Sequence, residues 1–351
     1  MRFSLSIYIS LFIIEDKDDF VKMFLWIHPG GKGLQLELLS VILKEKTEGI
    51  SMKKVRIFGA AIVDVLVSPA DERVFEVGSC PADKIVMSYG GDALNEATVL
   101  RGLGGDVRLH TILGDDEAGR AVLRRMEQVG LDTENTRMSS DLRTSVNVVL
   151  VKPDGERCFL TDPGASQRQL RLSDIPAPFP ADTDIICFAS MFVFPQMKAG
   201  EMAEVFRRAK EQGITVCADM TKRKNGECTD DVAEALQYVD YLFPNDAEAM
   251  LLTGKATPEE AAADLRRVGV GTVVVKCGAR GCYITGDRGS FWVAAEENVA
   301  VVDSTGAGDS FVGGFLYALS RDLPLEECAR TACRCGAQAV QKIGATTWIA
   351  E

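Results

Sequence analysis

The chain has 351 residues, of which 46% are apolar and 26% charged, a composition that supports a packed core and excludes a disordered or fibrous protein. Its 39 Lys and Arg against 51 Asp and Glu give a formal net charge of −12, and no run of Lys or Arg forms a basic face, so nucleic acid is not an expected partner. Only two histidines, His28 and His110, are present, which leaves almost no material for a histidine triad or a zinc site and makes a carboxylate the expected general base. The ten cysteines sit mostly in apolar runs without a CxxC pair, and they read as buried thiols of a cytoplasmic protein.

The first segment, Met1 to Ser51, differs from the rest. Its apolar run from Phe3 to Ile14 is too short to span a bilayer, and it stops at Glu15-Asp16-Lys17-Asp18-Asp19 without a small-residue cleavage site. Neither a membrane anchor nor a signal peptide fits, and no membrane partner is expected. Gly30-Gly31-Lys32-Gly33 has the composition of a phosphate loop but not its spacing. Met52-Lys53-Lys54 followed by Val55-Arg56-Ile57-Phe58-Gly59 looks like a natural start, an initiator followed by a buried strand and a glycine turn. Residues 1–51 are therefore read as upstream sequence or a flexible leader, with an extra helix as the alternative, and residues 52–351 as one domain.

From Met52 onward, apolar β-type runs alternate with amphipathic helical stretches. Strands are predicted at Val55–Ile57, Val107–Leu113, Ile185–Ala189, Thr215–Ala218, Tyr241–Pro244, Thr272–Lys276 and Cys282–Thr285. Helices are predicted at Ala93–Leu103, Glu117–Val129, Glu201–Gln212, Asp230–Leu236, Glu259–Val268 and Asp309–Ser320. This order predicts a Rossmann-like, doubly wound α/β fold with a mainly parallel sheet. Residues 65–89 and 144–160 break the alternation: they read as strands joined by polar turns such as Pro153-Asp154-Gly155-Glu156, without a helix between them. In an enzyme such a small sheet would form a lid over the site.

The strongest local signal is Asp303-Ser304-Thr305-Gly306-Ala307-Gly308-Asp309-Ser310-Phe311, which opens a helix rich in small residues. Gly306, Ala307 and Gly308 expose backbone N–H groups at a helix N-terminus, where unpaired donors and the helix dipole stabilise developing phosphate charge. Asp309, in the same turn, stands where a base for an alcohol nucleophile is needed. As a lone motif, this turn would read as a helix cap.

Asp303 to Phe311 resembles the C-terminal signature of the PfkB/ribokinase family of carbohydrate kinases. Gly90-Gly91-Asp92-Ala93-Leu94-Asn95-Glu96-Ala97, continuing to Leu103-Gly104 and Gly114, is similar to the N-terminal signature of that family. Together with the Gly59-Ala60-Ala61-Ile62-Val63-Asp64 opening, the pattern looks closest to YdjH-like bacterial sugar kinases, and the likeness spans Met52 to Glu351. It implies a ribokinase-like core with a β-lid, and transfer of the ATP γ-phosphoryl group to a sugar hydroxyl with Mg²⁺. Asp309 then takes the place of the base and Gly306 to Gly308 that of the anion hole. Asp64, Gly90, Gly91, Asp92 and Asn95 take the place of the sugar-binding residues. The resemblance further implies ATP contacts from Asn245, Lys276, Gly278, Gly281 and Thr305. Asn245 and Glu248 match an NxxE motif that would serve Mg²⁺ through water, although a helix cap places the same residues in the same way. Lys276 stands where many relatives have a small hydroxyl residue. Asp303, with carbonyls near Thr305 and Gly344-Ala345, falls where several relatives hold K⁺. Asp219-Met220-Thr221-Lys222-Arg223 departs from a D-x-N-x-R pattern, and Lys222 is a further candidate for contact with substrate.

The resemblance implies a sugar or sugar acid as the acceptor. Asp92 cannot bind a carboxylate, so a sugar acid would need a cation such as Arg157, which reads equally as a solvated hairpin charge. A nucleoside kinase of the same fold is one alternative, but the two lid stretches supply only Phe75, Tyr89 and Phe159 to stack on a base. A nucleotide-binding regulator without turnover is another, and a homodimer formed through the lid is a further expectation.

Overall fold

The computed structural model describes residues 11–15, 21–25, 52–152 and 156–350. The chain divides into two units, Met1–Ser51 and Met52–Glu351. In the first, β1 (Leu11–Glu15) pairs antiparallel with β2 (Val21–Leu25). The glycine-rich run at 30–33 and most of the expected leader lie outside the described residues, as do residues 153–155 of the lid turn.

The second unit is built on a sheet of nine strands. Six of them run from the middle of the sheet in both directions: β3 (Val55–Phe58), β6 (Val107–Gly114), β10 (Ile185–Met191), β11 (Thr215–Met220), β12 (Tyr241–Phe243) and β13 (Thr272–Lys276). They are parallel, β7 (Thr136–Ser139) extends them on one edge, and β14 (Cys282–Gly286) and β15 (Gly289–Val293) add antiparallel strands on the other. The spatial order is β15-β14-β13-β12-β11-β10-β3-β6-β7. The chain thus leaves β3 toward β6 and β7, then returns to β10 and proceeds the opposite way, which places a topological switch point between β3 and β10.

Neighbouring residues on the central strands feed opposite faces. Phe58, Phe188 and Val273 pack into one core with Met202, Phe206 and Leu265, whereas Ile57, Cys187 and Val274 pack into the other with Leu94, Phe315 and Ala332. A sheet covered on both sides needs continuous apolar strands, which is why these runs lack polar alternation. The predicted helices are all present, as Asp92–Gly102, Glu117–Gln128, Ala199–Glu211, Thr229–Leu236, Pro258–Arg267 and Ala307–Ser320. The helix Leu325–Ala339 was not among the predicted elements, and of Asp246–Thr253 only the first turn, at Asn245 to Glu248, was read from the sequence.

The lid is a second sheet of order β5-β4-β8-β9, formed by β4 (Ile62–Ser68), β5 (Lys84–Gly90), β8 (Val146–Val151) and β9 (Arg157–Leu160). One correction concerns residues 65–89, where a short helix, Val74–Val77, interrupts the expected helix-free stretch. Strand register places Asp64 opposite Ser88 and Asn147, on the same face as Phe159 and Arg157. The opposite face carries Ile85, Met87, Val146 and Leu160, all exposed.

All ten cysteines are free thiols, and seven of them are buried. Among the described residues, no helix is long and apolar enough to cross a membrane.

Candidate active site

The predicted site residues gather at the C-terminal ends of the parallel strands, where open α/β sheets bind ligands. The turn after β3 leads into Asp64, Asp219 lies within the C-terminal end of β11, Asn245 follows β12, and Lys276 ends β13. Two helices complete the constellation. The helix Asp92–Gly102 packs against the helix Ala307–Ser320 at Gly313, where an added Cβ would stand 2.8 Å from both the Glu96 carbonyl oxygen and the Val99 Cβ. This close approach sets Asn95 beside Asp309, and the Asn95 Nδ2 donates to Asp309 Oδ2 at 2.7 Å. Two motifs more than two hundred residues apart in sequence thus meet through one hydrogen bond.

The turn that precedes Asp309 depends on Gly306. Its φ of +72° lies in the left-handed region, and a Cβ there would meet the Ala345 Cβ at 2.5 Å. Gly306 is the N-cap of the helix and no side chain caps the first turn, although Ala307 N donates to the Ser304 carbonyl at 3.3 Å; the turn thus keeps the form of an anion site at a helix N-terminus. Burial is the first cause that pushes the Asp309 carboxyl up to about 6. Asp219 adds to the shift, while Asn95 and Lys276 oppose it. A carboxylate tuned to that range suits a general base near neutral pH.

Asp64 lies against the glycine pair: a Cβ on Gly90 would stand 2.6 Å from Asp64 Oδ2. Burial raises the Asp64 carboxyl above its ordinary value, and a hydrogen bond with Asn147 works against this. Asn147, buried on β8 opposite Asp64, was not picked out from the sequence, because a lone Asn in a β run carries no motif. Burial holds Asp92 well above the usual carboxylate range, reinforced by Asp309 and Asp219. Glu96, fully buried one turn further along, is shifted the same way, and its Oε1 has no hydrogen-bond partner.

Lys276 donates to both Asp219 oxygens, at 2.8 and 2.9 Å, and both side chains are nearly buried. Its Nζ lies 3.6 Å from where a Cβ on Gly308 would stand, so the ammonium faces the first turn of the Ala307–Ser320 helix. The loop beyond it forms a short 3₁₀ turn, Gly278–Arg280, and closes with Cys277 N donating to the Gly281 carbonyl at 2.8 Å. Gly278 is exposed, whereas Gly281 is buried. Lys222 is exposed.

Asn245 and Glu248 form a reciprocal helix cap: Glu248 N donates to Asn245 Oδ1 at 2.8 Å, and Asn245 N donates to Glu248 Oε2 at 2.9 Å. The capping alternative weighed from the sequence is therefore realised. Glu248 Oε1 lies outside this box on a desolvated carboxylate, which is the hard oxygen that a Mg²⁺ ion or its water shell would use. Among the described residues, no group of three or more His, Cys, Asp or Glu is placed to hold a metal ion.

Arg157 is not a solvated hairpin charge. Its Nη2 donates to Asp303 Oδ1 at 2.7 Å and its Nη1 to the Thr305 hydroxyl. Asp303 Oδ1 also accepts from Thr305 N and Oγ1, at 2.9 and 2.7 Å, and Asp303 Oδ2 accepts from Gly344 N at 3.0 Å. These partners hold the Asp303 carboxyl below its ordinary value against the pull of burial. Asp303 Oδ1 thus accepts from three donors and Oδ2 from one, and the Arg157 guanidinium supplies a cation at this carboxylate. Thr305 is likewise committed to Asp303 and Arg157. His110 lies outside the site, buried and stacked on Phe58 at 4.5 Å.

A doubly wound sheet, a β-lid and an uncapped helix N-terminus beside a tuned carboxylate define a phosphoryl-transfer enzyme of the small-molecule kinase class. The model of the pfkB family carbohydrate kinases matches residues 52–350, and the chain belongs to this family. Among curated relatives, it is 32% identical over 309 residues to the aminoimidazole riboside kinase of Salmonella typhimurium, covering 85% of this chain and 92% of that protein. It is also 32% identical over 259 residues to an ATP-dependent ribose-1-phosphate kinase of Halopiger xanaduensis, covering 74% and 82% of the two chains. The structure of the Salmonella enterica aminoimidazole riboside kinase, complexed with aminoimidazole riboside and an ATP analogue, superposes with a TM-score of 0.70 at 27% identity, over 85% of this chain and 96% of that one.

Proposed function

We propose that the protein transfers the γ-phosphoryl group of ATP to a hydroxyl of a small sugar-bearing acceptor. The hydrogen bond between Asn95 and Asp309 carries this reading, because it joins the acceptor loop to the base at the mouth of the anion hole. Asp64, Gly90, Gly91, Asp92 and Asn95 line the acceptor side. Asp309 takes the hydroxyl proton as the acceptor oxygen bonds to the γ-phosphorus. The bond from that phosphorus to the bridging oxygen breaks, and ADP leaves. The amides at Gly306, Ala307, Gly308 and Asp309 stabilise charge on the transferring group. Asn245, Lys276, Gly278, Gly281 and Thr305 remain the residues assigned to the nucleotide side. Mg²⁺, held at Glu248 through water, would neutralise phosphate charge.

The acceptor is read as a neutral polyol and not as a sugar acid. Arg157, the cation the sequence offered for a carboxylate, is spent on Asp303, and Lys276 is held by Asp219. A riboside acceptor is the second reading, favoured by Phe159. That ring is 58% exposed on the Asp64 face of the lid, where it can stack on a base. The apolar outer face of the lid supports a homodimer through that surface. ADP release measured across neutral sugars, sugar acids and nucleosides tests the reading. Turnover confined to neutral sugars or ribosides is expected, and a preference for sugar acids would overturn the neutral-acceptor assignment.

A further inference from the structure

We propose that Asp219 is a positioning residue that holds Lys276 as a cationic arm of the anion hole, so that phosphoryl transfer uses this ammonium together with the helix amides. This inference rests on the kinase reading above and adds a part that the glycine turn lacks.

The geometry is specific. Asp219 and Lys276 come from the ends of β11 and β13, two strands with β12 between them, and their side chains meet over the site with 6% and 12% exposure. The Asp219 carboxylate clasps Nζ from both oxygens, and its Oδ1 is itself fixed by the Met220 amide at 2.8 Å. Two of the three ammonium N–H groups are thereby used. The same Nζ lies 3.6 Å from where a Cβ on Gly308 would stand, beside the first turn of the Ala307–Ser320 helix, so the ammonium borders the anion site as well as Asp219. A pair serving only stability has no need of that address, since a buried ion pair is on balance a weak stabiliser.

The charge balance agrees. Asp92, Asp219, Glu248 and Asp309 all face Lys276 or one another across this pocket, with Glu96 buried behind them. These neighbours keep the ammonium protonated despite its burial. A nucleotide phosphate entering such an acidic pocket meets the Lys276 ammonium beside the helix N-terminus. Without Asp219 the lysine stem has four rotatable bonds and no fixed end point.

The experiment is a double-mutant cycle with Lys276→Met, Asp219→Asn and their combination, with Lys276→Arg as the conservative variant. Lys276→Met is expected to lower kcat by about 10²–10³-fold, the effect of removing one oxyanion donor, with partial rescue by Arg. Asp219→Asn is expected to lower kcat about tenfold with little change in KM for the acceptor, and to add nothing in the Lys276→Met background. It also removes a negative neighbour of Asp309, so the acid limb of kcat/KM moves to lower pH; the readout that a purely structural pair would not produce is the loss in kcat at unchanged acceptor KM. Restoration of activity in the double variant, or losses confined to thermal stability, would overturn the proposal. Failure of the kinase reading is separately visible, because the wild-type protein would then release no ADP with any acceptor. The Asp309 carboxyl, followed by carbon NMR in the unliganded protein, still reports whether Asp219→Asn lowers its titration.

Discussion

Asp309→Asn separates catalysis from folding in a single substitution. The carboxyl titrates near 6 in the folded protein against an ordinary value of 3.8, so at pH 7 about nine-tenths of the molecules carry the base in its working form. Asparagine keeps the shape and can accept the Asn95 hydrogen bond, but it cannot take a proton. The expected loss in kcat is about 10²–10⁴-fold, with ATP affinity little changed. Stability moves the other way. For an acid with a raised folded pKa, ionisation costs the folded state free energy; the cost is absent below about pH 4 and complete above about pH 6. A shift of about two units corresponds to about 3 kcal/mol, so the variant is expected to gain up to that amount at neutral pH and nothing at pH 4. Coupled ADP release and urea unfolding at the two pH values measure both effects. A variant that keeps most of its activity, or one that loses stability at neutral pH, refutes the assignment of Asp309 as a desolvated base.

Four further outcomes are expected. Gly306→Ala should lose about 2–4 kcal/mol through left-handed strain and overlap with Ala345, whereas Gly308→Ala should melt near the wild type; differential scanning calorimetry distinguishes them. His110, held at about 4 by burial and Arg56, takes up its proton more readily once unfolded, so stability falls by about 1.4 kcal/mol per pH unit as pH drops from 6.5 toward 4. Unfolding of the wild type and His110→Phe across that range checks it, the variant showing the flatter dependence. Turnover should be the same in potassium and in a bulky organic cation at equal ionic strength, because Arg157 already neutralises Asp303; strong activation by potassium would contradict this. Met87→Asp on the outer face of the lid should shift sedimentation from dimer to monomer and leave the fold intact.

Much of the fold was legible in the sequence because buried parallel strands cannot hide. Runs such as Thr272–Lys276 and Ile185–Ala189 have no polar alternation, and both are observed, the second extended to Met191. The Thr136–Ser139 strand escaped because an edge strand pairs on one side only and tolerates Arg137 in the middle of the run. Within the site, glycine turns and carboxylates at fixed spacing were readable. Pairings that cross between elements were not, since no local pattern ties Arg157 to Asp303 or Asp219 to Lys276. The same holds for Asn147, which becomes a neighbour of Asp64 only through the register of β4 and β8.

Arg157 couples the small sheet to the glycine turn. The residue belongs to β9 of the small sheet, yet its guanidinium grips Asp303 and Thr305, which lead into Gly306. Opening the lid therefore withdraws a support from the turn that presents the amides. A single arginine thus makes the small sheet and the glycine turn one mechanical unit, so that a displacement of either is felt by the other.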